Sequence, residues 1–373
     1  MRIALLTYST RPRGSVVHTL ALAEALVELG ESVTVYALER EGTEGLFRAV
    51  APEVDVELVC VRRSDDLEER VLRSIAALSA AVDVDAHDVL HAQDCIAANA
   101  VPGCTRTVHH LDHFTSPALV RCHDQAIVRP RSHVCVSEGV ATELRAGWGI
   151  DARVIPNGVH APRFEAAAGP GGAEDRAKWR RRLGDGPLVL TVGGIEPRKG
   201  SIELLEAVAR LRKRRPDARL VVAGGETLFD YRDYRAAFDE RRAELRVDVE
   251  VLGPVEDDAL PSLVACADVF ALPSAKEGFG LAAMEALAAG VPVVLREGPV
   301  LREVFGGTAL FGKTSRELGE HLVAALGEPA AGRRERGRAL AASHTWEAAA
   351  RAHLEFYRGL PREAALVAMA SAE

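Results

Sequence analysis

The chain has 373 residues, 48% hydrophobic and 27% charged, a balance that fits a globular protein too long for one ordinary core. Its net charge of −8 provides no global basic field for nucleic acid, and no 18-residue apolar run offers a membrane span. Six irregularly spaced cysteines give no disulfide framework, so a reducing cytoplasm is the expected setting.

In chain order, Met-Arg-Ile-Ala-Leu-Leu-Thr reads as a first strand over 3–6, too short in its apolar run for a signal peptide. An amphipathic helix over 16–29 follows, then strands over 33–37, 56–61, 89–92, 105–108 and 134–136. A second series starts afresh with a strand at 188–192, a helix at 201–214, a strand at 219–223 and a helix at 231–245. Strands at 249–252, 269–272 and 292–295 complete it. Alternation of this kind predicts an α/β protein with parallel sheets. The expected domains are 1–165 and 166–345, connected through a Gly-Pro-Gly-Gly segment within 166–185. A terminal helix over 346–373, anchored by Trp346, Leu354 and Tyr357, is expected to return to the first domain. Two doubly wound halves place their ligand sites at the carboxyl ends of the strands, facing each other across a cleft. That architecture by itself fits a transferase, a sugar epimerase, a binding protein or a dinucleotide enzyme.

The loops narrow the choice. The first, Thr10-Arg-Pro-Arg-Gly14-Ser15, lacks the G-x-G-x-x-G of a dinucleotide site, though Gly14 and Ser15 open a helix. Thr107-Val-His109-His110 ends a strand on which Thr107 and His109 share a face and His110 points the other way. Cys104, His109, His113, Cys122 and His123 crowd together, but without the spacing of a recognised zinc site, so no metal is expected. Asp83-Val-Asp85 sits in an ordinary acidic loop and is discounted as a metal motif. Asn157-Gly158 is a turn signal.

Gly193-Gly194-Ile-Glu-Pro-Arg198-Lys199-Gly200 joins a strand to a helix, where phosphate binds readily. Two cations at a helix start oppose its dipole and call for an anionic partner. Gly253-Pro-Val255 reads as a turn. Glu277-Gly278-Phe279-Gly280-Leu281 then opens an Ala-rich helix that carries Glu285 and stops at Gly290 and Pro292. Its first amides suit a phosphate, and a partly buried Glu285 needs donors such as sugar hydroxyls. Of two basic runs, 210–215 reads as a solvated helix end, while 176–182 is the candidate for an anionic acceptor or a peripheral membrane surface.

The string from Glu277 to Val294 closely resembles the signature of retaining family-4 glycosyltransferases of the GT-B fold (glycosyl transferases group 1), E-G-F-G-L-x-x-x-E-A-M-A-x-G-x-P-V-V. The resemblance spans nearly the whole chain and is strongest between 188 and 306. It implies two Rossmann-like domains and transfer of a hexose-like sugar from a nucleoside-diphosphate sugar to a small-molecule, glycan or lipid acceptor. By the same resemblance Gly14 lies beside the donor diphosphate and His109 faces the donor sugar. Glu277 holds sugar hydroxyls, the amides of Phe279 to Leu281 bind sugar or diphosphate, and Glu285 accepts from the ribose. Lys199 matches the family lysine that neutralises the leaving diphosphate. The family arginine is Gly194 here, with Arg198 as the neighbouring substitute. Catalysis in the family is thought to run on one face, the leaving phosphate taking the acceptor proton. A nucleotide-sugar epimerase and a non-catalytic sugar-nucleotide-binding protein are the alternatives.

Overall fold

The computed structural model describes residues 1–41, 45–62, 64–111, 114, 116–225, 231–327 and 331–360. Seven strands form a first parallel sheet: β1 (Arg2–Thr7), β2 (Ser32–Arg40), β3 (Val54–Val61), β4 (Val89–Ala92), β5 (Thr105–Val108), β6 (Ser132–Cys135) and β7 (Arg153–Val154). Their spatial order is β3-β2-β1-β4-β5-β6-β7, with Ile3 opposite Val33 on one side and Val89 on the other. A second sheet contains β8 (Leu188–Val192), β9 (Arg219–Ala223), β10 (Val249–Gly253), β11 (Val269–Leu272), β12 (Val293–Arg296) and β13 (Leu310–Gly312), in the order β10-β9-β8-β11-β12-β13. Each sheet reverses its winding at its first strand, the point at which doubly wound folds bind ligands. The central strands are apolar on both faces because helices cover both. Leu5, Leu20, Leu26 and Val35 are fully buried in the first half, as are Val189, Leu205 and Val269 in the second. The two Rossmann-like domains are those of the GT-B fold.

The segment predicted as a connection, 166–185, is mostly helical. Helices Ala161–Ala168 and Ala173–Leu183 are separated by one 3₁₀ turn at Pro170–Gly172, and Phe164 and Leu183 enter the core of the second sheet beside Leu263 and Phe270. Part of the basic run inside it serves this packing, while Lys178, Arg181 and Arg182 stay exposed. Arg176 donates to the carbonyls of Ala167 and Gly169, Arg180 pairs with Asp268 at 2.8 Å and Arg182 reaches Glu250 at 3.3 Å. Helix Leu67–Ala81, capped by the Asp66 side chain, and β13 are not among the predicted elements; β13 is only three residues long, too short for a strand pattern to show.

Helix Trp346–Gly359 returns to the first domain, where Trp346, Leu354 and Tyr357 are buried against Leu20 and Val35. Asn157-Gly158 is more than a turn: a Cβ on Gly158 would lie 2.4 Å from the Trp346 amide nitrogen, so the returning chain docks there. The rest of the expected terminal helix, 361–373, lies outside the described residues. No helix among the described residues is long and apolar enough to cross a membrane.

Candidate functional site

The two domains meet along a cleft between the carboxyl ends of the sheets, and small residues let them approach. A Cβ on Gly278 would sit 1.5 Å from the His109 carbonyl oxygen, so this glycine admits the backbone of the opposite domain. Expected only as a donor-facing turn, Gly278 is thus also a contact between domains. Farther along, the Glu303 carboxylate accepts from the amides of Glu138 and Gly139 at 2.8 Å each, capping helix Glu138–Trp148 from across the cleft. Lys276 pairs with Glu143 at 2.6 Å.

On the second-domain wall, the loop after β8 forms a 3₁₀ turn over Pro197–Lys199, closed by Gly200 at φ 66. A Cβ there would strike the Pro273 carbonyl at 2.4 Å, which packs this turn on the loop after β11. Arg198 and Lys199 therefore converge on Glu277. Lys199 hydrogen-bonds its carboxylate, and Arg198 stands 3.9 Å away, also reaching Glu196 at 3.2 Å and the Lys276 carbonyl at 3.1 Å. Burial raises the Glu277 carboxyl, but Lys199 and Arg198 outweigh it and hold the group at about 2. In this state the lysine and glutamate expected to meet the donor separately are partnered with each other.

Phe279 is buried against His344, with ring centroids 5.6 Å apart, and Gly280 adopts φ 96 where a Cβ would clash with Phe305. Helix Leu281–Ala288 therefore begins at a glycine with no side-chain cap, leaving its first amides without a side-chain acceptor. Leu281 is half-buried between the cores of both domains. One turn on, Glu285 is half-buried, and no hydrogen bond or ion pair among the described residues reaches its carboxyl. Burial, with repulsion from Asp257, pushes it up to about 8 against a smaller opposing pull from Arg163. Val255 is half-buried at the neighbouring turn after β10, whose Gly253 carbonyl accepts from Gly224 at 2.9 Å. Asp257, in that turn, is held by Arg163 at 2.6 Å, and both line a cavity of about 570 Å³ that reaches Glu24 and Arg48 of the first domain.

On the first-domain wall, helix Gly14–Glu28 starts at Gly14, which is exposed with open space around its Cβ direction; Ser15 follows, half-buried. His109 lies just past β5. Its Nε2 stands 3.2 Å from Gln93 Oε1, and its ring meets the edge of His18 at 4.8 Å. Behind it runs a buried polar chain. His18 Nδ1 faces Asn157 Oδ1 at 2.9 Å, and His91 bridges Tyr357 and Thr107 at 2.6 and 2.7 Å. His353 donates through Nδ1 to the Ala349 carbonyl at 2.8 Å. Burial lowers all four imidazoles, His109 to about 3 and His353 to about 4, so they are neutral near pH 7. Sequence reasoning found His109 but not Gln93, His18 or Asn157, since residues from three distant segments carry no shared spacing. Among the described residues no group of three His, Cys, Asp or Glu is placed to hold a metal ion; His113 of the crowded segment lies outside them.

Two family models cover most of the chain: glycosyl transferases group 1 over residues 173–319 and glycosyltransferase family 4 over 12–163. A phosphatidyl-myo-inositol mannosyltransferase of Propionibacterium freudenreichii is 28% identical, covering 93% of this chain and 92% of its own. A D-inositol 3-phosphate glycosyltransferase of Xylanimonas cellulosilytica is also 28% identical, covering 95% and 96%. Among solved structures, sucrose-phosphate synthase from Thermosynechococcus elongatus superposes with a TM-score of 0.77 at 21% identity, covering 96% and 98%. Anabaena HepE in complex with UDP and glucose gives 0.77 at 20%, covering 96% and 100%. At such identities these structures bear on the fold.

Proposed function

The chain belongs to the group 1 glycosyltransferases of GT-B fold, and from that premise we propose that it is a retaining hexosyltransferase using a nucleoside-diphosphate sugar. The observation that carries this reading is Glu285: a half-buried carboxyl with no hydrogen-bond or ion-pair partner among the described residues, one turn into a helix whose start has no side-chain cap. A buried carboxyl without donors is costly, and the two hydroxyls of a ribose supply them. The diphosphate would then lie at the helix start, against Lys199 and Arg198 and near Gly14 of the other wall, and the base against Val255. Glu277, kept ionised by Lys199 and Arg198, accepts from hydroxyls of the sugar, and His109 with Gln93 behind it borders the sugar from the first domain. No metal or other cofactor is required in this scheme, and the acceptor is a small molecule, glycan or lipid reached in the cytoplasm.

As the sugar departs, negative charge grows on the β-phosphate. Lys199, Arg198 and the amides of Phe279 to Leu281 stabilise it in place, and the leaving phosphate takes the acceptor hydroxyl proton on the same face of the sugar. Arg198 supplies the cation that Gly194 does not. Names of relatives that act on inositol-bearing acceptors support a polyol acceptor. A thermal-shift panel of nucleoside diphosphates and sugar nucleotides tests the donor reading. One nucleotide is expected to raise Tm strongly in the wild type and not in Glu285→Ala; the same shift in both would overturn the assignment.

A further inference from the structure

Two polar side chains of the first-domain wall meet through the register of their strands. β4 and β5 are parallel neighbours, and His91 on one meets Thr107 on the other at 2.7 Å. Side chains return to the same face at every second residue. One step farther along each strand, Gln93 therefore meets His109, Oε1 to Nε2 at 3.2 Å. The histidine is fixed from other sides as well. Its backbone carbonyl abuts Gly278 of the opposite wall, where a Cβ would come within 1.5 Å, and its ring meets the His18 ring edge-to-face at 4.8 Å. His18 is itself held by Asn157 at 2.9 Å. Gln93 is 1% exposed, so its amide is shielded from water. His109 is half-buried, and its Nδ1 has no hydrogen-bond partner among the described residues. Burial, with repulsion from His110, His91, Arg106 and His353, keeps the ring neutral near pH 7. A neutral imidazole carries one N–H, and an acceptor opposite one nitrogen decides where that proton sits.

We propose that Gln93 is a positioning residue: it accepts the Nε2 proton of His109, fixes the ring in the Nε2–H form, and leaves Nδ1 as an acceptor for a hydroxyl of the transferred sugar. The inference rests on the donor reading above, which puts the sugar beside His109, and adds the polarity of that contact. The ring takes a proton donor from the ligand and offers none of its own. A sugar position that bears fluorine or an ether oxygen has no proton to give and loses the contact. Gln93 acts through the histidine and touches no substrate.

The test follows the ring nitrogens of the full chain, isotope-labelled in histidine, by long-range proton–nitrogen correlation at neutral pH, with His109→Gln assigning the signal. His109 is expected in the Nε2–H form in the wild type. Gln93→Leu, close in bulk, should bring the Nδ1–H form to at least about a third of the population. Release of nucleoside diphosphate from UDP-glucose and from GDP-mannose is measured alongside. For the donor that is used, Gln93→Leu should lower kcat about 10- to 50-fold with KM within about threefold. Gln93→Glu keeps an acceptor but adds a charge that favours a protonated ring. Its kcat/KM should return to at least about a third of wild type only at alkaline pH, the acidic limb lying at least about one pH unit higher, whereas Gln93→Leu should recover at no pH. The other titratable and charged groups acting on the ring, His18, His91, His110, His353 and Arg106, are the same in every variant. Should neither donor be used, the ring form in the wild type and in Gln93→Leu decides. An Nδ1–H ring in the wild type, the outcome if the amide nitrogen faced the imidazole, overturns the inference even where the variants fold poorly. Turnover by Gln93→Leu within about threefold of wild type also overturns it. Both results leave nucleotide binding, and with it the donor reading, in place; a wild type that binds no nucleotide would instead remove the donor reading.

Discussion

The two walls of the cleft are built on opposite plans. The second-domain wall draws its chemistry from two short segments, 193–200 and 277–285, whose residues lie close in sequence because one turn and one helix start are enough to aim them. The first-domain wall draws on Gln93 and His109, supported by His18, His91 and His353 from elements that only the fold brings together. A ligand part shared by many enzymes can be gripped by a compact local motif. A variable part is met by side chains spread over many loops, each free to change.

If this division holds, substitutions on the two walls should fail differently. The largest effect is expected for Lys199→Ala, which leaves Glu277 buried beside Arg198 alone and removes charge from the leaving group. Turnover should fall about 10²- to 10³-fold, with folding retained by circular dichroism. Rates within threefold of wild type would break the comparison. Gly278→Ala should come next, because its Cβ meets the His109 carbonyl at 1.5 Å and forces the walls apart. Its kcat should drop at least tenfold with nucleotide affinity preserved.

The histidine chain gives a pH signature specific to the first wall. Its folded imidazoles titrate below their unfolded value near 6.5, so the unfolded chain binds more protons as pH falls below about 6.5. Stability should therefore decline from about pH 6.5 toward pH 4, each histidine contributing at most about 1.4 kcal/mol per pH unit. His353→Leu should flatten the slope by one such increment in urea titrations at pH 5 and 6; an unchanged slope would show that His353 titrates normally. Smallest is Glu303→Gln, an exposed cap across the cleft, for which a two- to fivefold rise in KM is expected with kcat nearly constant.

The sequence by itself determined the doubly wound class, most strands to within two residues, and the two segments, 193–200 and 277–285, that the structure brings together on the second wall. Short continuous apolar runs, glycine stops and a cation pair at a helix start are local signals, and each has a local physical cause. The tertiary structure decided what those signals leave open. It paired Lys199 and Arg198 with Glu277, used Gly278 for a meeting of domains, and spent Arg176 and Arg180 of the basic run on holding neighbouring segments in place. It also brought Gln93 and His109 together from the ends of the neighbouring strands β4 and β5. Parallel strands bring loops together at one end of the sheet whatever their separation along the chain, and no spacing in the sequence records that convergence.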